Sequence, residues 1–262
     1  MYTFILFDNL CELYMHTLRI CQYLAPLATG VTLSLDEDGY GHLVRVMRKT
    51  EGESFYVFDG QGHEFAATLT AVNKKEACYL VGNVFDNHCE SPLHMELGQV
   101  ISRGDRMEFT IQKACELGIS SIRPLLSERC GVKLTGERLI KKVQQWQKIA
   151  IAACEQCGRA TVPKIDEPIS LIDYFKEDSK MLKITLDPKA SLRMRDLAFN
   201  TLKIQEYGIK LLIGSEGGLS SDEINLSKTH GFIGIELGPR ILRTETASLC
   251  TLSLLGALFG DL

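Results

Sequence analysis

The chain has 262 residues, 45% of them hydrophobic and 24% charged, with a formal net charge of −4 at pH 7. That apolar content excludes a disordered chain, 22 Gly and 7 Pro exclude collagen-like or low-complexity sequence, and the acidic balance argues against a uniformly basic nucleic-acid binder. No apolar run reaches the ~18 residues of a membrane helix, and Met1–Tyr14 carries Asp8 and Glu12 where a secretion signal is basic. The expectation is a cytoplasmic protein with no membrane partner.

From about residue 15 to 86 the chain reads as β-rich. Gly41 to Arg48 is expected as a short helix, Ser54 to Asp59 as a strand ending in the turn Asp59-Gly60-Gln61-Gly62, and Glu64 to Val72 as a second strand. A turn at Asn73-Lys74-Lys75 leads to a third strand, Ala77 to Phe85. Such spacing suggests a small barrel, and the polar stretch Asp86 to Pro92 reads as a linker. From His94 strands and helices alternate, the pattern of an α/β domain with a parallel sheet. Strands are predicted at His94–Ile101, Ser121–Leu126, Met181–Leu186, Ile209–Ile213 and Phe232–Leu237. Helices are predicted at Met107–Leu117, closed by Gly118, at Glu137–Gly158, and in the apolar stretch Thr246–Phe259.

Charge is unevenly spread. Residues 1–90 hold 6 Lys and Arg against 12 Asp and Glu, whereas Gly98–Lys164 holds 12 against 6. A basic middle in an acidic chain suggests one localised polyanion surface, with solvated helix faces as the equal alternative. The nine cysteines form no disulfide framework expected of a cytoplasmic chain. Cys154-Glu-Gln-Cys157 shares a helix face, but no second such pair completes a zinc site, so no metal is expected.

Two loops carry the chemistry. In Leu211-Leu-Ile-Gly214-Ser215-Glu216-Gly217-Gly218-Leu219-Ser220, an apolar strand meets a glycine-rich turn and then a helix with a capping box, Ser220 to Glu223. It is neither a Walker loop nor a dinucleotide fingerprint. In Leu237-Gly238-Pro239-Arg240-Ile241-Leu242-Arg243-Thr244-Glu245-Thr246, a Gly-Pro loop brings two arginines and a glutamate to the mouth of a buried helix. An Arg243–Glu245 or Arg240–Glu245 structural pair is the plain alternative. Loops after neighbouring strands form one pocket at the strands' carboxyl ends, so together they favour a cofactor site.

These loops resemble the SPOUT superfamily of S-adenosylmethionine-dependent RNA methyltransferases. Within it the sequence is similar to the bacterial family that methylates N3 of a uridine in 16S ribosomal RNA. The resemblance runs from about residue 17 to the C-terminus and includes Gly98 to Gly118, Ser127 to Lys133 and Glu155 to Arg159. It implies an α/β fold with a SPOUT-type trefoil-knotted C-terminal domain over 92–262 and a small PUA-like, RNA-binding N-terminal β-barrel over 15–88. It also implies a homodimer and a 16S rRNA partner within the small ribosomal subunit. Residues 1–14 have no counterpart in the family, and Met15 is the expected natural start.

The resemblance implies a methyl donor, S-adenosyl-L-methionine, held by Leu186, Ile213, Gly214, Glu216, Gly217, Gly218, Leu237, Gly238, Ile241, Leu242 and Thr246. Arg243 and Arg240 suit charge stabilisation on the uridine, and Glu245 suits proton acceptance or holding an arginine. Arg19, Arg103, Lys113, Arg129 and Arg159 are the expected RNA contacts. Ser215 stands where the family commonly has a proline, which implies a looser cofactor loop. A methyltransferase acting at another RNA position, a non-catalytic ribosome-binding protein, and a redox or zinc role for Cys154 and Cys157 are the competing readings.

Overall fold

The computed structural model describes residues 18–23, 26–132 and 135–262, so the extension at 1–14 lies outside the described residues. The chain divides into two units, one ending at Glu90 but including Cys154–Val162, the other comprising Ser91–Ala153 and Pro163–Leu262. The sequence reading assigned 154–162 to the second domain. The hydrogen bonds of that stretch explain the difference.

In the first unit, β1 (Arg19–Cys21), β2 (Thr32–Ser34), β3 (Ser54–Phe58), β4 (Glu64–Val72) and β5 (Ala77–Phe85) form one sheet ordered β1-β3-β4-β5-β2. β1 is parallel to β3; the other pairs are antiparallel. Phe55 and Val57, then Phe65, Ala67 and Leu69, then Ala77, Tyr79 and Val81 are buried. This period-two pattern gives the sheet one apolar face, and Ile20, Leu35 and Leu43 complete its core. The β4–β5 turn forms as expected, with Asn73 Oδ1 accepting from the N–H groups of Lys75 and Glu76. Between β2 and β3, Asp36 caps α1 (Glu37–Tyr40) by accepting from Gly39 N. The chain then winds into a π-helix over Gly41–Val46, where an ordinary short helix was expected.

Arg19 and Arg159, expected to face RNA, are instead buried, at 3% and 4% exposure. Arg19 Nε donates to Glu64 Oε1 at 2.6 Å, and its terminal nitrogens donate to the carbonyls of Cys154 and Arg159. Asn87 Nδ2 donates to both Glu64 Oε2 and the Gly158 carbonyl, at 2.6 and 2.8 Å. Arg159 pairs with Glu90 at 2.9 Å. A guanidinium presents five donors in a fixed fork, which suits it to fastening a segment with little sheet pairing of its own. Both arginines therefore hold 154–162 within the unit and leave the RNA-facing set.

The second unit is an α/β layer structure on a parallel sheet. β6 (Met95–Val100), β7 (Ser121–Leu126), β8 (Lys164–Ile165), β10 (Leu182–Leu186), β11 (Leu192–Arg193), β12 (Ile209–Ile213) and β13 (Ile233–Glu236) are ordered β11-β13-β10-β12-β6-β7-β8, and β9 (Ile169–Ser170) pairs with β7. Its helices are α2 (Arg106–Glu116), α3 (Gly136–Cys157), α4 (Leu171–Lys176), α5 (Thr201–Tyr207), α6 (Ser221–Thr229) and α7 (Thr244–Phe259), with a 3-10 helix at Met194–Asn200. The predicted strands and helices agree to within about two residues; the two- and three-residue strands, α4 and α5 were not foreseen. β12 is buried throughout although it carries Lys210. The Lys210 charge is matched by Glu177 at 2.7 Å and Glu96 at 3.2 Å, and it sits 4.0 Å from the Tyr174 ring centroid. Among the described residues no helix is long and apolar enough to cross a membrane.

Candidate active site

β6, β12, β10 and β13 are successive neighbours in the parallel sheet, so the loops leaving their carboxyl ends meet along one edge. Binding crevices of open parallel sheets form there. The first loop leaves Ile213. Its turn is closed by Gly218 N donating to the Ser215 carbonyl at 2.9 Å, with Gly218 at φ +65°, a conformation glycine adopts without strain. Ser215 is buried, and its Oγ donates to the Arg129 carbonyl at 3.1 Å. The Arg129 guanidinium in turn donates to the Gly217 carbonyl at 3.1 Å. The serine that stands in place of the family's proline is thus fastened to the neighbouring loop by a hydrogen bond. The loop runs into α6 through the expected capping box, Ser220 and Glu223 bonding each other's backbone N–H.

The second loop leaves Glu236 through Leu237 and Gly238, the latter at φ +117°. Arg240, Ile241 and Arg243 are exposed, Ile241 at 97%, while Leu242 is half-buried. Thr244 then opens α7, buried, with Thr246 exposed on the same turn.

The two loops are joined by a buried polar network. Thr244 Oγ1 donates to the Gly214 carbonyl. Gln99, on β6 and fully buried, donates from Nε2 to Thr244 Oγ1 and to the Val100 carbonyl, each at 3.1 Å. Its Oε1 accepts from Ser248 Oγ of α7 at 2.7 Å. Every one of these polar atoms has a partner, so the network fixes geometry instead of destabilising the core. The sequence reading did not select Gln99; a lone amide in the apolar run Leu97-Gly98-Gln99-Val100-Ile101 was its available signal.

A second link lies nearer solvent. Arg106, at the start of α2, donates to Glu216 Oε1 at 2.8 Å and lies 3.9 Å from Glu245 Oε1. Glu245 is therefore approached by Arg106, which the sequence reading missed; the plain alternative had paired it with Arg240 or Arg243. The Arg103 N–H donates to Glu216 Oε1 at 2.9 Å. Partial burial opposes charge on Glu216, but bonds from its own N–H, the Arg103 N–H and Arg106 outweigh it and hold the carboxyl below its ordinary value. The other oxygen of Glu245, Oε2, is buried and has no hydrogen-bond partner among the described residues. A buried acceptor left unmatched is costly.

The expected site residues fall into three sets. Leu186, Ile213, Gly214, Glu216, Gly217, Gly218, Leu237, Gly238, Ile241, Leu242, Thr246, Arg240, Arg243 and Glu245 stand on the strand ends, the two loops and the first turn of α7. Arg129 lies against the first loop and Arg103 reaches it through its backbone. Lys113 lies on α2 and pairs with Glu116 at 2.6 Å. Cys154 is buried, and among the described residues no group of three or more His, Cys, Asp or Glu is placed to hold a metal ion.

A family model described as an RNA methyltransferase domain matches residues 89–256, and one described as an RNA methyltransferase PUA domain matches 35–78. The chain belongs to this RNA methyltransferase family. Among its relatives is the "Ribosomal RNA small subunit methyltransferase E" of Buchnera aphidicola subsp. Acyrthosiphon pisum, 36% identical over 228 residues, 87% of this chain and 88% of the relative. The protein of that name from Bacillus subtilis is 31% identical, covering 85% and 88%. Among solved structures, a Legionella pneumophila protein described as a methyltransferase in complex with the bound cofactor SAM is 40% identical, with a TM-score of 0.87 over 94% of this chain and 100% of that one. The Neisseria gonorrhoeae ribosomal RNA small subunit methyltransferase E, bound to S-adenosyl methionine, is 35% identical, with a TM-score of 0.86 over 94% and 99%. These findings bear out the RNA methyltransferase family that the two loops resembled.

Proposed function

We propose that this chain is an S-adenosylmethionine-dependent methyltransferase of the cytoplasm that methylates N3 of a uridine in 16S rRNA of the small ribosomal subunit. One observation carries this reading: two glycine-bearing loops are joined at Gly214 and Thr244, and the second of them carries exposed Arg240 and Arg243 into the helix turn that holds Glu245 with its unmatched buried oxygen. The named relatives support the rRNA substrate, and the SAM-bound structures support the methyl donor.

The residues present fit that donor. Glycines at 214, 217, 218 and 238 keep side chains away from the loop backbone, apolar Leu186 and Leu237 stand at strand ends, and Leu242 lies in the second loop. S-adenosylmethionine, when bound, supplies an electrophilic methyl on its sulfonium. Uridine N3 is a weak nucleophile until its proton leaves. Glu245 Oε2 is the acceptor for that proton, and Arg240 and Arg243 stabilise the charge that then develops on the flanking carbonyl oxygens. Holding N3 in line with the methyl contributes further, since orientation alone is worth roughly 7–11 kcal/mol. Arg103, Arg129 and Lys113 steer the rRNA phosphates toward the site.

The same reading includes a homodimer and a threaded C-terminal chain. Phe199, Leu202 and Ile241 are exposed at 95%, 83% and 97%, apolar surface that a second copy would cover. Insertion of β13 between β11 and β10 supports the trefoil knot. The test is to delete the gene, purify small subunits lacking the modification, and add this protein with S-adenosylmethionine. A methyl group mapped to N3 of one uridine in 16S rRNA is expected. Methylation of a different atom or a different RNA overturns the assignment.

A further inference from the structure

A third segment reaches the crevice edge beside the two loops. β7 lies next to β6 in the parallel sheet, so the chain leaving its carboxyl end at Ser127 runs along that same edge. Its backbone is fixed at several places. The Cys130 N–H donates to the Ser127 carbonyl at 3.1 Å, and Cys130 Sγ donates to the Ile101 carbonyl at 3.5 Å. The Glu128 N–H donates to Glu223 Oε1 at 2.8 Å, while Glu223 Oε2 closes the capping box of α6. One carboxylate thus ties this segment to the helix that the first loop enters.

The segment and the first loop also share a closed ring of three hydrogen bonds. Ser215 Oγ donates to the Arg129 carbonyl, the Gly218 N–H donates to the Ser215 carbonyl, and the Arg129 guanidinium donates to the Gly217 carbonyl. Gly217 and Gly218 share one peptide unit, so that unit is held from both sides, its C=O by Arg129 and its N–H by Ser215. Three of the five residues from 214 to 218 are glycine, and such a turn has many conformations to lose when a ligand fixes it. A bond arriving from outside the loop limits that freedom. Arg129 is exposed, so its bond shapes the loop while burying little of the core.

We propose that Arg129 is a positioning residue for the methyl donor: through the ring with Ser215, its guanidinium holds the Gly217–Gly218 peptide in the shape that receives S-adenosylmethionine. A ligand that meets an ordered loop is spared the cost of ordering it. A loop that is competent only part of the time binds with its affinity reduced by that fraction. The inference rests on the reading of the first loop as part of the donor site.

Calorimetry without RNA isolates this role from any phosphate contact that Arg129 makes. In Arg129→Ala, affinity for S-adenosylmethionine should fall roughly fivefold to tenfold, with the thermal midpoint nearly unchanged, as for an exposed side chain. Ser215→Ala should lose a similar factor, and the double variant no more than the larger single loss, because either change opens the same ring. Exchange of the Gly218 amide in the ligand-free protein should quicken in both single variants. With rRNA and donor both saturating, Arg129→Ala should keep its kcat while KM for the donor rises, a split that general loss of folded protein does not produce. Unaltered donor affinity in Arg129→Ala, or losses that add in the double variant, overturns the inference. Donor binding by the unaltered protein with indifferent variants sinks the positioning role alone; no donor binding by the unaltered protein sinks the donor site and the positioning role together.

Discussion

Thr244 Oγ1 donates to the carbonyl of Gly214 across 2.6 Å, so the first residue of α7 and the loop after β12 move as one piece. Valine at 244 keeps the shape and removes the donor, leaving the Gly214 carbonyl only the 3.4 Å approach of Gln99. A buried acceptor so deprived costs about 1–3 kcal/mol of stability. Calorimetry should show S-adenosylmethionine binding to Thr244→Val weakened roughly tenfold, with Thr244→Ser restoring it. Wild-type affinity in the valine variant would mean that the loops keep their places without this bond.

Acid should loosen the same region through a different residue. The folded-state pKa of Glu216 lies below its ordinary value of 4.5. Its contribution to stability is therefore complete above that value and is lost as pH falls through the lower folded value. Both partners are partly exposed, with Arg106 and Glu216 side chains at 42% and 27%, so solvent screening holds the pair to about 1 kcal/mol or less. Urea unfolding of Glu216→Gln against the unaltered protein should give a gap at neutral pH that closes in acid. A gap independent of pH would show that Glu216 acts by packing alone.

Much of this architecture was legible because its signals are local. Strand Ile209–Ile213 announces itself as an apolar run before glycine, and the Ser220–Glu223 capping box is written in four residues. The loop chemistry was legible too, since glycines after strands have few other uses. What escaped depends on contacts distant in sequence. Arg19 looks like a solvent-facing cation until Glu64, Cys154 and Arg159 are brought around it. Arg106 looks like a helix-surface charge until Glu216 and Glu245 arrive from beyond residue 200. Gln99 escaped because a polar residue in a buried strand carries no local mark of its partners.

Arg19 yields a prediction that tells a fastening role from an RNA contact. Lysine at 19 keeps the charge opposite Glu64 but lacks the fork that reaches the Cys154 and Arg159 carbonyls. Hydrogen exchange in Arg19→Lys should quicken at Val162, whose N–H donates to the Gly60 carbonyl, while RNA affinity of the folded protein stays level. Glu64→Gln should be harsher, about 3–5 kcal/mol, because it leaves a buried guanidinium without its counter-charge. Loss of RNA affinity in the lysine variant with exchange unchanged would return Arg19 to the RNA-facing set.

Glu245 has two roles to choose between, and kinetics separates them. As the proton acceptor it acts through Oε2, the oxygen without a partner; as a brace it acts through Oε1, 3.9 Å from Arg106. Glutamine at 245 preserves the side chain's shape but not its basicity. If Oε2 takes the proton, kcat in Glu245→Gln should fall roughly 10²–10⁴-fold with KM for rRNA nearly constant. If Glu245 only braces Arg106, Arg106→Ala should lower kcat and the glutamine variant should keep most of it. That outcome would remove Glu245 from the chemical step and leave Arg240 and Arg243 to act on a proton released to solvent.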